Sequence, residues 1–256
     1  MSSEAPHEPS QPTRLAVLWE YVWTLGLMAL VVFSARSSLA DWYEVPSGSM
    51  LPTILEGDRI FVNKLAYNLR VPFTTVEVAP LGELKRGDIF VFLYPKDQRT
   101  DYVKRLVGLP GDTIELRDDL LYINGEVQPR RAALPSELPP GVELEPGKQV
   151  FVENLHGVNH LVYERIGGRS DYGPHQVSEG HVFAMGDNRD NSSDSRAWGE
   201  VPMHYIKGRA LRVVLSIEKR DPCMGLDLMC RASLFDPRRF RLERGFLSLY
   251  GGFDPI

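Results

Sequence analysis

Three short segments hold the residue types that could do chemistry together. The first is Val45-Pro46-Ser47-Gly48-Ser49-Met50-Leu51-Pro52-Thr53. Two prolines bracket it, each fixing φ and removing a donor, so it is neither helix nor central strand. Gly48 permits close backbone approach or a positive φ. A serine on such a constrained turn presents its hydroxyl at a fixed angle, although Ser-Gly-Ser alone is common in loops. The second segment runs from Asp101 to Asp112. In an alternating strand Tyr102, Lys104 and Leu106 share one face. A lysine shielded there loses hydration of its ammonium, its pKa falls, and the neutral amine can take a proton from a serine. The ordinary alternative is a lysine that snorkels to solvent.

The third segment, Met185 to Gly199, is dense in carboxylates, guanidiniums and short hydroxyl side chains. Asx turns and Asp–Arg pairs can lock such a loop. The interleaved Arg189 and Arg196 favour internal salt links over a metal site, and a Ca²⁺ loop would need a terminal glutamate and a spacing absent here. The six histidines show neither HExxH spacing nor a nucleophile-elbow context, so a Ser-His-Asp triad has no evident histidine. Each is expected to be structural or exposed.

The elements that must position these residues are mainly strands. Arg59–Asn63, Asp88–Tyr94, Leu120–Ile123, His181–Met185 and Ala210–Ile217 are β-branched or aromatic runs bounded by turn residues. Asn124-Gly125 is a strong hairpin signal, with Val127-Gln128 returning from it. No helical period persists between Glu44 and Ile217. The expected fold is therefore mainly β: an antiparallel catalytic core over 41–112 and 180–220. Residues 113–179, poorer in apolar runs, are expected to form an inserted cap subdomain.

Ahead of the core, 1–14 reads as a disordered tail and 15–36 as an apolar segment. Its uncharged run, Tyr21 to Ala35, is shorter than the ~20 residues a spanning helix wants. Aromatics at Tyr21, Trp23, Trp42 and Tyr43 suit membrane interfaces. A cleavable leader, with Ser38-Leu39-Ala40 as its small-x-small site, fits the same residues. A buried helix of a soluble domain fits less well, for want of a polar face. The tail 221–256 is expected to pack on the core, with Arg231, Arg238, Arg239, Arg241 and Arg244 on a solvated face rather than against anionic lipid.

Among 256 residues the formal charge is −5, which argues against a nucleic-acid partner. Nineteen prolines and 22 glycines suit a turn-rich β protein. Cys223 and Cys230 fit no zinc pattern; they would form a small disulfide loop in an oxidising compartment, or remain free thiols.

In order and spacing, the segments resemble bacterial type I signal peptidases, a family of Ser-Lys proteases. The resemblance rests on Pro46-Ser47-Gly48-Ser49-Met50-Leu51-Pro52-Thr53 and Gly87-Asp88-Ile89-Phe90-Val91-Phe92. It continues in Tyr102-Val103-Lys104-Arg105-Leu106-Val107-Gly108-Leu109-Pro110-Gly111-Asp112 and in Gly186 to Arg196. It spans about Leu27 to Lys207 and is poor in the insert and tail. It implies Ser49 as nucleophile and Lys104 as base, with Ser47 donating to an oxyanion hole beside the Ser49 N–H. It implies that Ser192 orients the lysine amine, and that Asp187 pairs with Arg105 and Asp194 with Arg189 or Arg196. Val45, Pro46, Met50, Tyr102 and Val103 would line shallow pockets for small side chains. No cofactor and no metal are implied.

The implied substrates are exported preproteins, cut after small-x-small sites. The implied setting is the bacterial cytoplasmic membrane, with 15–36 retained as a single-pass anchor, the catalytic part on its outer face and the enzyme monomeric. Two other readings compete. A self-cleaving repressor-type Ser-Lys peptidase would carry a DNA-binding domain or its own cleavage arm, where this chain has an apolar segment. An inactive membrane-tethered β module would have no need of Ser49, Lys104 and Ser192 together.

Overall fold

The computed structural model describes residues 14–71, 77–218 and 239–250. Cys223 and Cys230, and the arginines at 231 and 238, lie outside them. The chain begins with a helix, α1 (Arg14–Ser38). At 1.5 Å per residue its 25 residues reach about 37 Å. Leu18, Trp19, Val22, Leu25, Val32 and Phe33 are all more than half exposed, so none of the described residues covers its apolar face. Its Val17–Ser38 stretch is long and apolar enough to cross a membrane. The helix extends beyond the 15 uncharged residues because Glu20 and Arg36 are good helix formers that leave its period unbroken. Lys64 Nζ donates to the carbonyls of Arg36 (3.0 Å) and Ser37 (3.3 Å). A lysine there satisfies two of the orphan C-terminal carbonyls and suits the negative end of the dipole.

Antiparallel strands follow. They are β1 (Ala40–Glu44), β2 (Asp58–Asn63), a small hairpin of β3 (Asn68–Arg70) and β4 (Glu77–Pro80), then β5 (Ile89–Leu93) and β6 (Asp101–Gly108). The inserted stretch contributes β7 (Thr113–Arg117), β8 (Leu120–Ile123), β9 (Glu126–Val127), β10 (Arg130–Ala132), β11 (Lys148–Leu155), β12 (Val158–Arg165) and β13 (Tyr172–Gln176). After it come β14 (His181–Met185), a single-turn helix α2 (Ser195–Trp198), β15 (Val201–Pro202) and β16 (Ile206–Ser216).

The central sheet has the order β1-β2-β16-β5-β6-β14-β15. β5 is apolar at every position because both its faces are covered. Ile89 and Val91 pack with Val45, Met50, Ile54, Ile60 and Val62. Phe90 and Phe92 pack on the other side with Leu106, Val182, Ala184 and Ile206. β6 pairs with β5 in a register that sets Lys104 opposite Phe90 and Tyr102 opposite Phe92. The expected sharing of one face by Tyr102, Lys104 and Leu106 follows from that register.

The insert forms two further sheets, β10-β11-β12 and β13-β7-β8-β9. Asn124 and Gly125 both have positive φ, at 54° and 81°, as the tight hairpin turn requires. The insert does not stand apart from the sheet: Ile114, Leu121, Ile123 and Leu155 share a cluster with Val107, Phe183 and Met185. The hairpin β11–β12, with eight residues in each strand, is not expected from the sequence. Its alternation is interrupted by Glu153, His160 and Glu164, all buried.

The C-terminal arginines correct the expectation of a solvated face. Arg239 and Arg244 are buried. Arg244 Nη2 donates to Asp58 Oδ2 (2.6 Å) and to the Thr53 carbonyl (3.2 Å), and Nη1 to that of Pro140 (2.7 Å). Leu249 enters the core, and the Tyr250 hydroxyl accepts from the Ile89 N–H at 2.9 Å.

Candidate active site

The turn that carries Ser49 is built from its prolines and one apolar anchor. Gly48–Met50 forms a single 3₁₀ turn between Pro46 and Pro52, closed by the Leu51 N–H on the Gly48 carbonyl (3.1 Å). Met50 is fully buried and seats the turn among Ile54, Ile60 and Val62. Met50 therefore lies beneath the turn and does not line the cleft, contrary to its expected place in the substrate pockets. A long flexible side chain fills the irregular gap there.

β6 brings Lys104 to this turn. Its Nζ donates to Ser49 Oγ at 2.6 Å and to the Val103 carbonyl at 3.2 Å. The Tyr102 ring centroid lies 5.5 Å from the amine. Lys104 is only 4% exposed, so it does not snorkel. Burial pushes the amine down to about 8. The Asp194 and Asp187 carboxylates pull the other way, and Arg196 adds to the fall. Ser47 Oγ lies 3.5 Å from Ser49 Oγ.

A cleft of about 500 Å³ opens beside the pair. Val45, Pro46, Ser47, Tyr102 and Val103 line it with Ser49 and Lys104. Its walls have strand character. β14 pairs with β6 only from Arg105 to Gly108, so among the described residues the Asp101–Lys104 half has β5 alone as a strand partner.

The loop after β14 supports the site from behind. Arg105 clamps Asp187 with two bonds of 2.7 Å, and both side chains are buried. Thr53 Oγ1 donates to the same carboxylate at 2.5 Å. Asp194 takes Arg196 rather than Arg189, with Nε at 2.9 Å and Nη2 at 2.8 Å, and also accepts from the Gly186 N–H at 3.0 Å. Burial works to raise the Asp194 carboxyl, but Arg196 and the Gly186 N–H outweigh it and hold it below the usual range. Arg189 pairs instead with Glu153 of the insert.

Ser192 Oγ is buried without a well-formed hydrogen bond and makes none to Lys104; its closest electrostatic influence is on Asp194. The amine's hydrogen bonds among the described residues go to Ser49 Oγ and the Val103 carbonyl, and the expected one to Ser192 is not formed. Gly186 lies close against Ser192 and the Ser49 backbone. A Cβ there would lie 2.2 Å from Ser192 Oγ and 2.5 Å from the Ser49 carbonyl.

Asn188, Gly186 and Thr53 lay inside the segments singled out from the sequence but were given no role. Asn188 Nδ2 donates to the Gly48 carbonyl (3.0 Å) and its N–H to the Ser49 carbonyl (3.1 Å). Glu153 had no sequence signal, since its partner lies 36 residues away. No group of acidic, histidine or cysteine side chains suited to a metal ion occurs among the described residues.

An antiparallel β core presenting a serine against a buried lysine amine has the makings of a serine hydrolase. Residues 18–215 match the family described as signal peptidase, peptidase S26. The chain belongs to this family of serine endopeptidases. Signal peptidase I of Pseudomonas aeruginosa is 38% identical, over 78% of this chain and 73% of its own. That of Pseudomonas fluorescens gives the same figures. That of Aquifex aeolicus is 33% identical over 75% of this chain and 82% of its own.

Proposed function

We propose that this chain is a membrane-anchored endopeptidase that removes signal peptides from exported preproteins, with Ser49 as nucleophile and Lys104 as general base. The observation that carries the reading is the 2.6 Å contact between Ser49 Oγ and a buried Lys104 amine. Near pH 8 a large fraction of that amine is unprotonated and able to take the Ser49 proton. Ser–Lys pairs are a known variant of the serine-triad logic.

An extended peptide would lie along the edge of Asp101–Lys104 that faces away from β5, its carbonyl carbon over Ser49 Oγ. Oγ attacks, Lys104 takes its proton, and the oxyanion is met by the Ser49 N–H and the Ser47 hydroxyl. Lys104 then protonates the leaving amine, and water repeats the sequence on the acyl-enzyme. The floor of Val45, Val91 and Val103 leaves a shallow cleft, suited to small side chains at alternate positions. Ser192 is the spare hydroxyl that would hold the amine once Ser49 is acylated.

The exposed apolar face of α1 suits a bilayer. Ser49 follows the helix end at Ser38 by 11 residues, a short leash that would keep the nucleophile near the lipid surface; the outer side of the cytoplasmic membrane, where exported preproteins emerge, is the side proposed for it. A signal peptide places its cleavage site just beyond its own apolar core, at the same level.

The test is cleavage of a preprotein carrying a small-x-small site by the full chain in detergent micelles. The intact enzyme should release the mature protein with a single new N-terminus, and Ser49→Ala and Lys104→Met should not. Equal product from wild type and Ser49→Ala would refute the assignment.

A further inference from the structure

The cap subdomain and the nucleophile turn are linked through buried polar groups. Glu153 on β11 is fully buried and pairs with Arg189, itself buried. A parallel bridge joins Tyr163 of β12 to Asn188, with the Tyr163 N–H on the Asp187 carbonyl at 2.8 Å. The Arg165 N–H donates to Asp190 Oδ2 at 2.5 Å. The insert thus grips four consecutive residues, 187 to 190, on one side. From their other side Asn188 reaches the turn, donating to the carbonyls of both Gly48 and Ser49.

We propose that the insert positions the nucleophile: Glu153 holds Arg189, and Asn188, fixed beside it, holds the Gly48–Ser49 backbone in the orientation that meets Lys104. Glu153 is a positioning residue, acting through Arg189 and Asn188 and touching no reacting atom. A charged pair with both members out of water is an expensive device for mere stability, since an apolar pair of similar volume often does as well or better. What the pair adds is direction. A bidentate guanidinium–carboxylate contact fixes angle as well as distance. The hydroxyl-to-amine geometry is sensitive to such support, for a displacement of about 1 Å at a reacting centre can cost ~10²-fold in rate.

The proposal rests on Ser49 being the nucleophile. The experiment uses the full chain in detergent micelles and a preprotein with a small-x-small site, with kcat and KM measured separately. Glu153→Gln alone would leave the buried Arg189 charge with only a looser partner, Glu164 at 4.0 Å, so the main variant is Glu153→Gln with Arg189→Gln, which removes both charges of the pair. The expected result is a fall in kcat of about 10- to 100-fold with KM within about twofold, while thermal unfolding stays cooperative. Glu153→Asp with Arg189 intact should recover part of the loss. A folded double variant with wild-type kcat would overturn the proposal, as would a rise in KM alone.

Should the double variant not fold, Asn188→Ala carries the test, because it leaves the Glu153–Arg189 pair in place. A kcat loss at constant KM supports the proposal, and an unchanged kcat overturns it. Wild type and Ser49→Ala run alongside. If those two do not differ, it is the nucleophile assignment that has failed; if they differ and both insert-linked variants match wild type, it is the positioning role.

Discussion

Arg105 and Lys104 are neighbours on one strand, and their side chains leave it in opposite directions to serve the same site. Lys104 meets Ser49 Oγ, while Arg105 clamps Asp187 at 2.7 Å through each of two nitrogens. One face of β6 carries the proposed base, and the other anchors the loop whose Asp187 and Asp194 carboxylates act on its charge. The first prediction concerns that anchor. The Asp187 carboxylate favours the Lys104 ammonium, so Asp187→Asn should lower the lysine's pKa further. The acid limb of the kcat/KM profile should then move to lower pH, and stability should fall by about 3–5 kcal/mol because Arg105 loses its buried counter-charge. Profiles of the two proteins in the same detergent check this; an acid limb moving to higher pH would contradict it.

The second prediction is the pH dependence of the enzyme itself. Only the neutral amine can act as base, so kcat/KM should rise with pH through a midpoint at about 8. The stability sign is the reverse of an ordinary ion-paired lysine. Below about 8 both folded and unfolded chains carry the charge, and the folded one bears the cost of burying it. Between about 8 and the ordinary 10.5 the unfolded chain holds the proton and the folded one does not, so stability climbs with pH across that window. Lys104→Met should accordingly be inactive yet melt higher than wild type at pH 7. A lower melting temperature would show that the amine is not held at a cost.

Gly186 is the third case. A methyl there would come within 2.2 Å of Ser192 Oγ and 2.5 Å of the Ser49 carbonyl. The backbone carbonyl cannot swing aside as a side chain could, so the nucleophile turn must shift. Gly186→Ala is expected to lower kcat by ~10²-fold or more while the sheet persists by circular dichroism. Wild-type turnover would mean that the turn tolerates displacement.

The fourth is Ser47→Ala, which removes a hydroxyl 3.5 Å from Ser49 Oγ. Loss of one oxyanion donor typically costs ~10²–10³ in kcat with little change in KM. A loss confined to KM would place Ser47 in substrate binding instead.

Much of this arrangement was legible in the sequence, because it depends on local signals. The two prolines around Ser49, the alternation around Lys104 and the Asn124-Gly125 turn all act within a few residues. What escaped depends on distant pairing. β11 and β12 carry Glu153, His160 and Glu164 at buried positions, which breaks the apolar alternation by which a strand is recognised. The two glutamates are tolerable inside because Arg189 meets Glu153 and Arg130 meets Glu164. Arg189 was read as a partner within its own loop for the same reason: the sequence shows which charges exist, while the fold decides which ones meet. The resemblance places Met50 in the cleft, but the 3₁₀ turn rotates it into the core.

Arg244 ties the Thr53 carbonyl and Asp58, just behind the nucleophile turn, to a segment translated some 190 residues after it. A nascent chain still short of residue 239 therefore holds Ser49 on an unfinished mount, however complete its strands. Full support behind the Ser49 turn waits until residue 244 has taken its place, and a truncation ahead of residue 239 should yield a sheet without a working blade.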